Sequence, residues 1–271
     1  MDKYSVLKEY LASLGSVAVA FSGGVDSTFL LRTAHDVLGD KAIAITLSSP
    51  FIPKRELEEA EALARTIGAE HIVLNVNVLA IDGVTDNPPD RCYYCKRGIF
   101  SAVLAEALRH GIINVAEGSN IDDLGDYRPG LQAVKEMGIL SPLRHAGLTK
   151  AEIRSLSREL GLSTWEKPSY ACLASRFVYG ERITPEKLMM VERAEELLMK
   201  LGFRQMRVRL HGNMARIELM PEDFGKMIEL REKVYGALKN YGFSYVALDL
   251  MGYRTGSMND PLRSRSTDRE P

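Results

Sequence analysis

The sequence predicts an α/β protein with a doubly wound parallel sheet, followed by a small C-terminal α+β domain. Between Val17 and about Gly161, apolar strand-like runs alternate with amphipathic helical stretches. Such alternation is typical of a parallel sheet that helices cover on both faces. From Thr184 onward the order changes to helix, two strands, helix and strand. A chain of 271 residues is long enough for both domains.

The elements of the first domain follow from short β-rich runs and from helical periodicity. The strands are predicted at Val17–Phe21, Ala42–Leu47, His71–Val76 and Ile112–Ala116, with a weaker one at Ile139–Ser141. The helices are predicted at Ser27–Leu38, Pro53–Ile67, Arg97–His110 and Thr149–Leu160. Because parallel sheets bind ligands at the carboxyl ends of their strands, functional residues are expected in the loops that follow them.

The second domain opens with Thr184 as a helix N-cap and Pro185 at the first helical position, which predicts a helix to about Leu201. The remaining elements are strands at Gln205–Leu210 and Ala215–Met220, a helix from Pro221 to about Asn240, and a strand at Tyr245–Leu250. We therefore expect domains at residues 1–180 and 181–253, with a polar, disordered tail at 254–271.

The composition excludes several classes of protein. The 35 basic and 36 acidic side chains nearly cancel, so any nucleic-acid contact would have to be local. Three cysteines argue against a disulfide scaffold and favour the reducing cytoplasm. The N-terminus lacks the pattern of a secretory signal, and no apolar run is long enough for a membrane span.

A glycine-rich loop, Ser22-Gly23-Gly24-Val25-Asp26-Ser27, joins the first strand to the first predicted helix. The unpaired amides and partial positive charge of a helix N-terminus suit a phosphate, and glycines let the backbone approach it closely. Ser22 and Ser27 can add hydroxyl donors, and Asp26 can hold Mg²⁺. The loop lacks the Gly-Lys-Ser/Thr ending of a Walker A motif. An ordinary tight turn is the alternative, but the strand–loop–helix context favours nucleotide binding.

This loop resembles the PP-loop of the ATP pyrophosphatases, whose members transfer AMP to a substrate oxygen and release pyrophosphate. The resemblance implies an adenine nucleotide alpha hydrolase-like fold and the use of ATP. Thr46-Leu47-Ser48-Ser49 ends the second strand, where such enzymes hold the adenine, and Gly118-Ser119-Asn120 begins the loop that closes over the nucleotide. Each segment alone is also compatible with an ordinary strand-to-helix loop.

The three cysteines lie in two suggestive segments. Cys92 and Cys95 form Cys-Tyr-Tyr-Cys between basic residues, and Cys172 lies in Ala-Cys-Leu-Ala-Ser-Arg. Three thiolates are one short of a closed zinc site and suit a [4Fe–4S] cluster with one open iron. Zinc with a fourth ligand from His or Asp, a redox pair, and small buried hydrophobic cysteines remain as alternatives.

A second resemblance is more specific. The segments that carry it are Lys167-Pro168-Ser169, Ala171-Cys172-Leu173-Ala174-Ser175-Arg176, Tyr179-Gly180, Arg128-Pro129-Gly130 and Ser141-Pro142-Leu143. They are similar to the LarE family of ATP-dependent sulfur transferases, and the similarity extends from about Leu7 to Tyr253. It implies adenylation of a carboxylate of pyridinium-3,5-biscarboxylic acid mononucleotide and its conversion to a thiocarboxylate, for the nickel-pincer cofactor of lactate racemase. It also implies other enzymes of that pathway as partners, and a homo-oligomer, as in the family's hexamers.

The resemblance gives Cys172 the central role. The best-known members sacrifice the matching cysteine, which forms an adduct with the substrate and is left as dehydroalanine. This sequence departs from that pattern through Cys92 and Cys95, and it resembles a three-cysteine branch in which a [4Fe–4S] cluster carries an extra sulfide. Cys172 is expected to be indispensable either as nucleophile or as cluster ligand.

Arginines are the expected handles for the phosphate and carboxylates of such a substrate, because their charged forks bind oxyanions in pairs. Arg176 lies just past Cys172, and Arg207 and Arg209 alternate along one predicted strand, which puts them on the same face. A solvated strand surface is the alternative. Glu195 or Glu196 can supply an acidic partner, although the helical pattern places most such residues in water.

Two other functions compete with sulfur transfer to a small molecule. A tRNA thiolation enzyme of the PP-loop kind would need a basic stripe or a zinc ribbon, and the sequence indicates neither. A nucleotide sensor resembling the universal stress proteins would leave the Cys172 neighbourhood without a purpose.

Overall fold

The computed structural model describes residues 2–125, 129–168, 171–254 and 256–259. The chain divides into two compact units, Met1–Val84 with Asp90–Tyr170 and Thr85–Pro89 with Ala171–Pro271. Residues 85–89 and 171–180, expected in the first domain, therefore fall in the second unit. Two residues of the LarE-like segments, Arg128 and Ser169, and the tail from residue 260 lie outside the described residues.

The first unit contains a parallel sheet, which confirms the predicted fold class. Its strands are β1 Val17–Ala20, β2 Ala42–Ser48, β3 His71–Asn75 and β4 Val115–Ala116, in the order β3-β2-β1-β4. The predicted strand at Ile139–Ser141 is wrong, since only Leu140 makes an isolated parallel bridge to Ala116. Pro142 starts a short helix at once and has no N–H for a ladder, so pairing stops there.

The helices of this unit are α1 Lys3–Leu14, α2 Val25–Leu38, α3 Lys54–Ile67, α4 Arg91–Arg109, α5 Pro129–Glu136, α6 Pro142–His145 and α7 Lys150–Glu159. The sequence analysis missed α1, α5 and α6. It also started α4 at Arg97, six residues late, so the cysteine pair lies on the first turn of a helix rather than in a loop.

The sheet buries alternate residues on opposite faces, as expected of a strand covered on both sides. Val17 and Val19 pack in the core with residues of α1, α2 and α7. Ala18, between them, belongs to the opposite core, which Phe100 and Val103 of α4 complete. This two-sided packing fixes β1, so the loop at its carboxyl end starts from a rigid support.

The second unit is built around a smaller mixed sheet. Its elements are α8 Pro185–Lys200, β5 Met206–His211, β6 Met214–Leu219, α9 Phe224–Glu229, α10 Arg231–Asn240 and β7 Tyr245–Leu248. The sheet order is β5-β6-β7, with β5 antiparallel and β7 parallel to β6. The helix predicted from Pro221 to Asn240 is interrupted at Leu230, whose φ of −90° and ψ of 2° leave the helical region.

The segment from residue 254, which the sequence predicts to be disordered, contains an ordered turn. Ser257–Asn259 form a 3-10 turn, and the Ser257 and Asn259 side chains are buried. Ser257 Oγ donates to Glu218 and the Tyr179 hydroxyl donates to Asn259, which anchors the turn to the second unit. Within the described part of the chain, no helix has an apolar stretch that would carry it across a bilayer.

Candidate active site

The glycine-rich loop has the strand–loop–helix geometry that the sequence predicts. β1 ends at Ala20 and α2 begins at Val25, with Gly24 as an extended N-cap that has no side chain to offer the helix amides. The first N–H groups of a helix have no partner within the helix. They and the helix dipole therefore offer a phosphate site at the carboxyl end of β1.

The two serines of the loop lie together. Ser22 Oγ and Ser27 Oγ are 3.1 Å apart, and Ser27 Oγ also donates to the Gly24 carbonyl over 3.2 Å. The Ser27 side chain thus closes the first turn of α2 onto the loop. The predicted hydroxyl donors are in place, although in this structure they bond to the loop itself.

Asp26 is held by two side chains, Asn120 of the predicted nucleotide-closing loop and Lys150, which the sequence analysis did not identify. Lys150 Nζ forms an ion pair with Asp26 Oδ2, and Asn120 Nδ2 donates to Oδ1 over 3.3 Å. Lys150 stands at the start of α7, more than a hundred residues from Asp26 along the chain. Its only sequence signal is the capping box of Thr149 and Glu152, which marks the helix start and no function.

Gly118 is required by close packing against the same loop. A Cβ at this position would lie 3.1 Å from the Ser27 amide nitrogen and 3.2 Å from Asp26 Cβ. The neighbouring Glu117 carboxylate is buried and accepts from the Ser119 and Ser141 hydroxyls, both at 2.7 Å. These bonds fix the loop after β4, and the packing of Gly118 places it against the start of α2, where the sequence predicted a nucleotide-closing loop.

Ser48 lies at the carboxyl end of β2 and lines an open cavity of about 460 Å³. The cavity lining consists of Ser48, Ser49, Pro50, Asn75, Val76 and Asn77. Apolar and hydrogen-bonding groups of this kind suit a flat base, and the position agrees with the predicted adenine site.

A chain of hydrogen bonds connects β3 and β2 to Phe21, the residue that directly precedes the glycine-rich loop. Thr46 Oγ1 donates to the Phe21 carbonyl over 2.7 Å, so the 2.8 Å contact with His71 Nε2 requires the imidazole to be the donor. Burial lowers the pKa of His71, and the neighbouring Glu61 only partly opposes this effect. His71 is therefore neutral at pH 7, with its proton on Nε2.

Cys92 and Cys95 lie on the first turn of α4, and both side chains are partly buried and form no disulfide. Residues three apart in a helix share a face, so the two sulfur atoms can bind one group. Arg91 donates to Cys92 Sγ over 3.6 Å. Within the described ranges, however, no three His, Cys, Asp or Glu side chains come together as a metal site.

Cys172 in the second unit is exposed and precedes the 3-10 turn Leu173–Arg176. The buried Arg176 guanidinium holds this segment by donating to the Ala171 carbonyl at 2.6 Å and the Cys172 carbonyl at 3.2 Å. It also makes a bidentate ion pair with Glu195 at 2.9 and 2.8 Å. An exposed thiol thus stands on a rigid, charged support.

The other two predicted arginines lie in the same buried cluster, not on a solvated strand face. Arg209 pairs with both oxygens of Glu218 at 3.1 and 3.0 Å and donates to the Ser175 carbonyl. Arg207 lies 5.1 Å from the centre of the Tyr253 ring. The sequence analysis missed Glu218 and placed such glutamates mainly in water, whereas Glu195 and Glu218 are both buried.

The cluster has more positive than negative charge. Three guanidiniums, of Arg176, Arg207 and Arg209, face two carboxylates, of Glu195 and Glu218, and all five side chains are buried. Burial opposes the charge of Arg176, but Glu195 outweighs it and raises the pKa of that guanidinium. Burial and the nearby Arg176 lower the pKa of Arg207. The excess charge favours binding of an anion.

The loop geometry and its support define the class of protein, a PP-loop enzyme that uses ATP. In agreement, the family model described as NAD synthase matches residues 2–86, which include the first three strands and the glycine-rich loop.

Similarity over nearly the whole chain then identifies the family. The chain is 40% identical, over 96% of its length and 95% of the relative's, to the pyridinium-3,5-bisthiocarboxylic acid mononucleotide synthase of Lactiplantibacillus plantarum. It is 46% identical to an uncharacterised protein of Synechocystis, covering 96% of this chain and 98% of the relative. A third relative, an uncharacterised protein of Methanocaldococcus jannaschii, is 33% identical over 88% of this chain and 91% of its own. The chain belongs to the LarE-type synthase family.

Proposed function

We propose that this protein is an ATP-dependent sulfur transferase that converts a carboxylate of pyridinium-3,5-biscarboxylic acid mononucleotide into a thiocarboxylate. The observation that carries the proposal is the position of Cys172, an exposed thiol whose backbone is fixed by a buried arginine in an anion-attracting cluster. Its support from the comparisons is the near full-length similarity to the synthase of Lactiplantibacillus plantarum.

The first step is activation of the carboxylate by ATP. A carboxylate oxygen attacks the α-phosphorus, the bond to the β-phosphate oxygen breaks, and pyrophosphate leaves with that electron pair. The amides at the start of α2 and the loop serines are placed to bind the phosphates. The acyl adenylate that results has AMP as leaving group, where the free carboxylate has only oxide.

Mg²⁺ belongs to this proposal through Asp26. The Asp26 carboxylate is an oxygen ligand of the type that Mg²⁺ prefers, and in this structure it pairs with Lys150. When bound, the ion would neutralise phosphate charge. We propose that Lys150 then turns from Asp26 to the phosphates, since both its charge and its reach suit them.

The second step is attack by sulfur on the activated carbonyl carbon. If Cys172 is the donor, its thiolate displaces AMP to give a thioester. Removal of the Cys172 Cα proton and cleavage of its Cβ–S bond then release the thiocarboxylate and leave dehydroalanine. A thiolate can attack at neutral pH without a separate general base.

We further propose that Cys92, Cys95 and Cys172 hold a [4Fe–4S] cluster. The support is the shared helical face of Cys92 and Cys95, since iron–sulfur clusters are held by cysteine sulfur. A bound cluster with one open iron would supply a sulfide and so allow repeated turnover. In that case Cys172 serves as a ligand, and the residue survives each reaction.

The buried arginine cluster is proposed to bind the substrate's phosphate. A phosphate monoester carries between one and two negative charges, and the cluster has one excess guanidinium. Arg207 is the strongest candidate, because its guanidinium is buried beside that of Arg176, and burial and this neighbouring charge together lower its pKa. The sequence analysis assigned the Arg176 guanidinium to the substrate. In the structure this guanidinium holds the Cys172 backbone, by donating to the Ala171 and Cys172 carbonyls.

The test is a product assay with purified protein, MgATP and the biscarboxylic mononucleotide, analysed by mass spectrometry. The expected product has one carboxylate oxygen replaced by sulfur, formed together with AMP and pyrophosphate. Absence of that product from protein that still releases pyrophosphate with the substrate would leave adenylation intact and refute sulfur transfer. As a matched control, Cys172→Ser should release pyrophosphate without forming the thiocarboxylate.

The sulfur source is tested on anaerobically reconstituted protein. We expect bound iron and sulfide and an unchanged intact mass after turnover. Bound zinc without iron, or iron content that is unchanged in Cys92→Ala, would contradict the cluster. A loss of mass equal to one H₂S per chain would assign the donor to the Cys172 side chain.

The remaining expectations concern the cellular setting. We propose a homo-oligomer, with the hexamer of the family as the expected form, in the reducing cytoplasm that three cysteines without a disulfide favour. The thiocarboxylate would pass to other enzymes of nickel-pincer cofactor synthesis. Light scattering on the purified protein measures the oligomeric state.

A further inference from the structure

The largely buried Lys167 ammonium contacts the glycine-rich loop. Its Nζ donates to the Gly23 carbonyl at 3.1 Å, to Glu56 at 2.9 Å and to Glu59 at 2.7 Å. The Lys167 side chain is only 13% exposed. Burial lowers the pKa of this amine, but the two glutamates outweigh it and the pKa is raised. The ammonium is therefore charged throughout the physiological range.

A buried ion pair alone is weak grounds for a function, because such pairs often contribute little net stability. The bond to Gly23 is different, since its acceptor is a main-chain carbonyl inside the phosphate-binding loop. The Gly23 carbonyl and the Gly24 N–H belong to one planar trans peptide and point in opposite directions. A group that fixes the carbonyl therefore also fixes the direction of the Gly24 N–H, at the N-cap of α2.

This peptide needs such a constraint because it joins two glycines, which have the widest conformational freedom. Gly23 has a φ of +66°, and a Cβ there would lie 3.2 Å from the Ala60 Cα of α3. The loop is thus packed against α3 at Ala60, next to Glu59 and one turn after Glu56, the two residues that bind the Lys167 ammonium. Packing restrains the position of Gly23, and the hydrogen bond restrains the rotation of the peptide that follows it.

The main chain at Lys167 is also fixed. Arg154 of α7 donates to the Lys167 carbonyl at 2.8 Å and to the Trp165 carbonyl. Lys167 therefore joins three parts of the first unit: the glycine-rich loop, α3, and the segment that leads on to Cys172 in the sequence.

We infer that Lys167 is a positioning residue for adenylation, holding the Gly23–Gly24 peptide so that its N–H faces the phosphates of ATP. The inference rests on ATP use by the glycine-rich loop, and it is independent of which acceptor receives the AMP. A donor that is oriented before the reaction stabilises developing charge without reorganisation, and the loss of one such donor typically costs about a hundredfold in rate.

The test compares Lys167→Met with Glu59→Gln. Lys167→Met removes the donor to Gly23, whereas Glu59→Gln weakens the same ion cluster and leaves the Gly23 bond in place. Substrate-dependent exchange of labelled pyrophosphate into ATP is measured, with kcat and KM for ATP determined separately, together with Tm. We expect Lys167→Met to lower kcat about a hundredfold with a smaller change in KM, and Glu59→Gln to stay within about threefold of wild type.

Similar exchange rates for the two variants at comparable Tm would overturn the inference, because Lys167 would then act only through stability. If Lys167→Met does not fold, Lys167→Arg decides. Its planar guanidinium keeps the charge for Glu56 and Glu59 but cannot reproduce the point contact with Gly23. We expect a wild-type Tm with a reduced exchange rate, and an unchanged rate would contradict the inference.

Failure of this inference is distinguishable from failure of the proposed function. The proposed function fails if wild-type protein makes no thiocarboxylate from the biscarboxylic mononucleotide. The inference on Lys167 is read from binding of a non-hydrolysable ATP analogue and from the exposure of the loop amides to hydrogen exchange. In Lys167→Met, the analogue should protect the amides of residues 23–27 less than it does in Glu59→Gln.

Discussion

The two units offer phosphate groups two different kinds of site. In the first unit, the donors are main-chain amides at the start of α2 and small hydroxyls, and the nearby Lys150 and Lys167 pair with carboxylates. In the second unit, the candidate site consists of buried guanidiniums in excess over carboxylates. Amides require a fixed backbone, and guanidiniums require fixed side chains. Two sites for the same chemical group are therefore marked by very different sequence patterns.

The largest effect is expected from Cys172, because no neighbouring group can replace its sulfur. Cys172→Ala should abolish thiocarboxylate formation by either sulfur source, while pyrophosphate exchange at the glycine-rich loop continues. The measurement is product mass spectrometry alongside the exchange assay. Detectable thiocarboxylate from this variant would contradict the proposal that the glycine-rich loop of the first unit serves adenylation and Cys172 of the second unit serves sulfur transfer.

The next effect is expected from Arg207. Arg207→Met removes one guanidinium from the cluster and should raise KM for the mononucleotide about 30-fold, since charged hydrogen bonds to phosphate are strong. The affinity for ATP should not change. Arg204→Met, at an exposed position shortly before β5, is the control. Equal KM values for the two variants would remove the arginine cluster from substrate binding.

A smaller effect is expected from Gly118 on the ATP side. Gly118→Ala puts a methyl group about 3.1 Å from the Ser27 amide nitrogen, which forces the two loops apart. Overpacking of this size costs about 1–3 kcal/mol, so we expect about tenfold weaker binding of an ATP analogue by calorimetry. Gly236→Ala is the control for the added methyl group, because no neighbouring atom lies within 4 Å of a Cβ there and the backbone is not left-handed.

The smallest effect is the dependence of stability on pH. Each unit contains a histidine whose pKa is lowered, His71 in the first and His211 in the second. Burial lowers the pKa of His71 in the first unit and of His211 in the second below the ordinary value of 6.5. A lowered pKa means that the folded state binds fewer protons, so stability present above pH 6.5 is lost as the pH falls below it. Tm should drop between about pH 7 and about pH 5. His71→Gln should flatten this drop, and an unchanged slope would contradict the assignment.

The sequence was most informative where function depends on the backbone. The segment Ser22–Ser27 shows the glycines and serines directly, and the alternation of β1, β2 and α2 places them at the right edge of the sheet. The sequence analysis did not predict Lys150, and it named Lys167 in a LarE-like segment without giving it a role. Their contacts with Asp26 and Gly23 join residues far apart in the chain. No local pattern marks a lysine whose partner is set only by tertiary packing.

In the second unit the residue types were found but their surroundings were misjudged. Arg207 and Arg209 lie at alternate positions of β5, which is also the pattern of a solvated strand. Arg209 is covered by the Cys172 segment and by the turn at Ser257, to which it donates hydrogen bonds. Arg207 lies against the ring of Tyr253. The start of α4 was placed too late because Cys92-Tyr93-Tyr94-Cys95 lacks strong helix formers, although the structure makes it the first helical turn.

The most direct test of the central claim is isotope transfer from the carboxylate. Biscarboxylic mononucleotide labelled with ¹⁸O in its carboxylates is converted with MgATP, and the AMP is analysed by mass spectrometry. Adenylation followed by sulfur attack predicts one labelled oxygen in the phosphate of each AMP, and none in pyrophosphate. Unlabelled AMP, or ADP in its place, would contradict carboxylate adenylation by this protein.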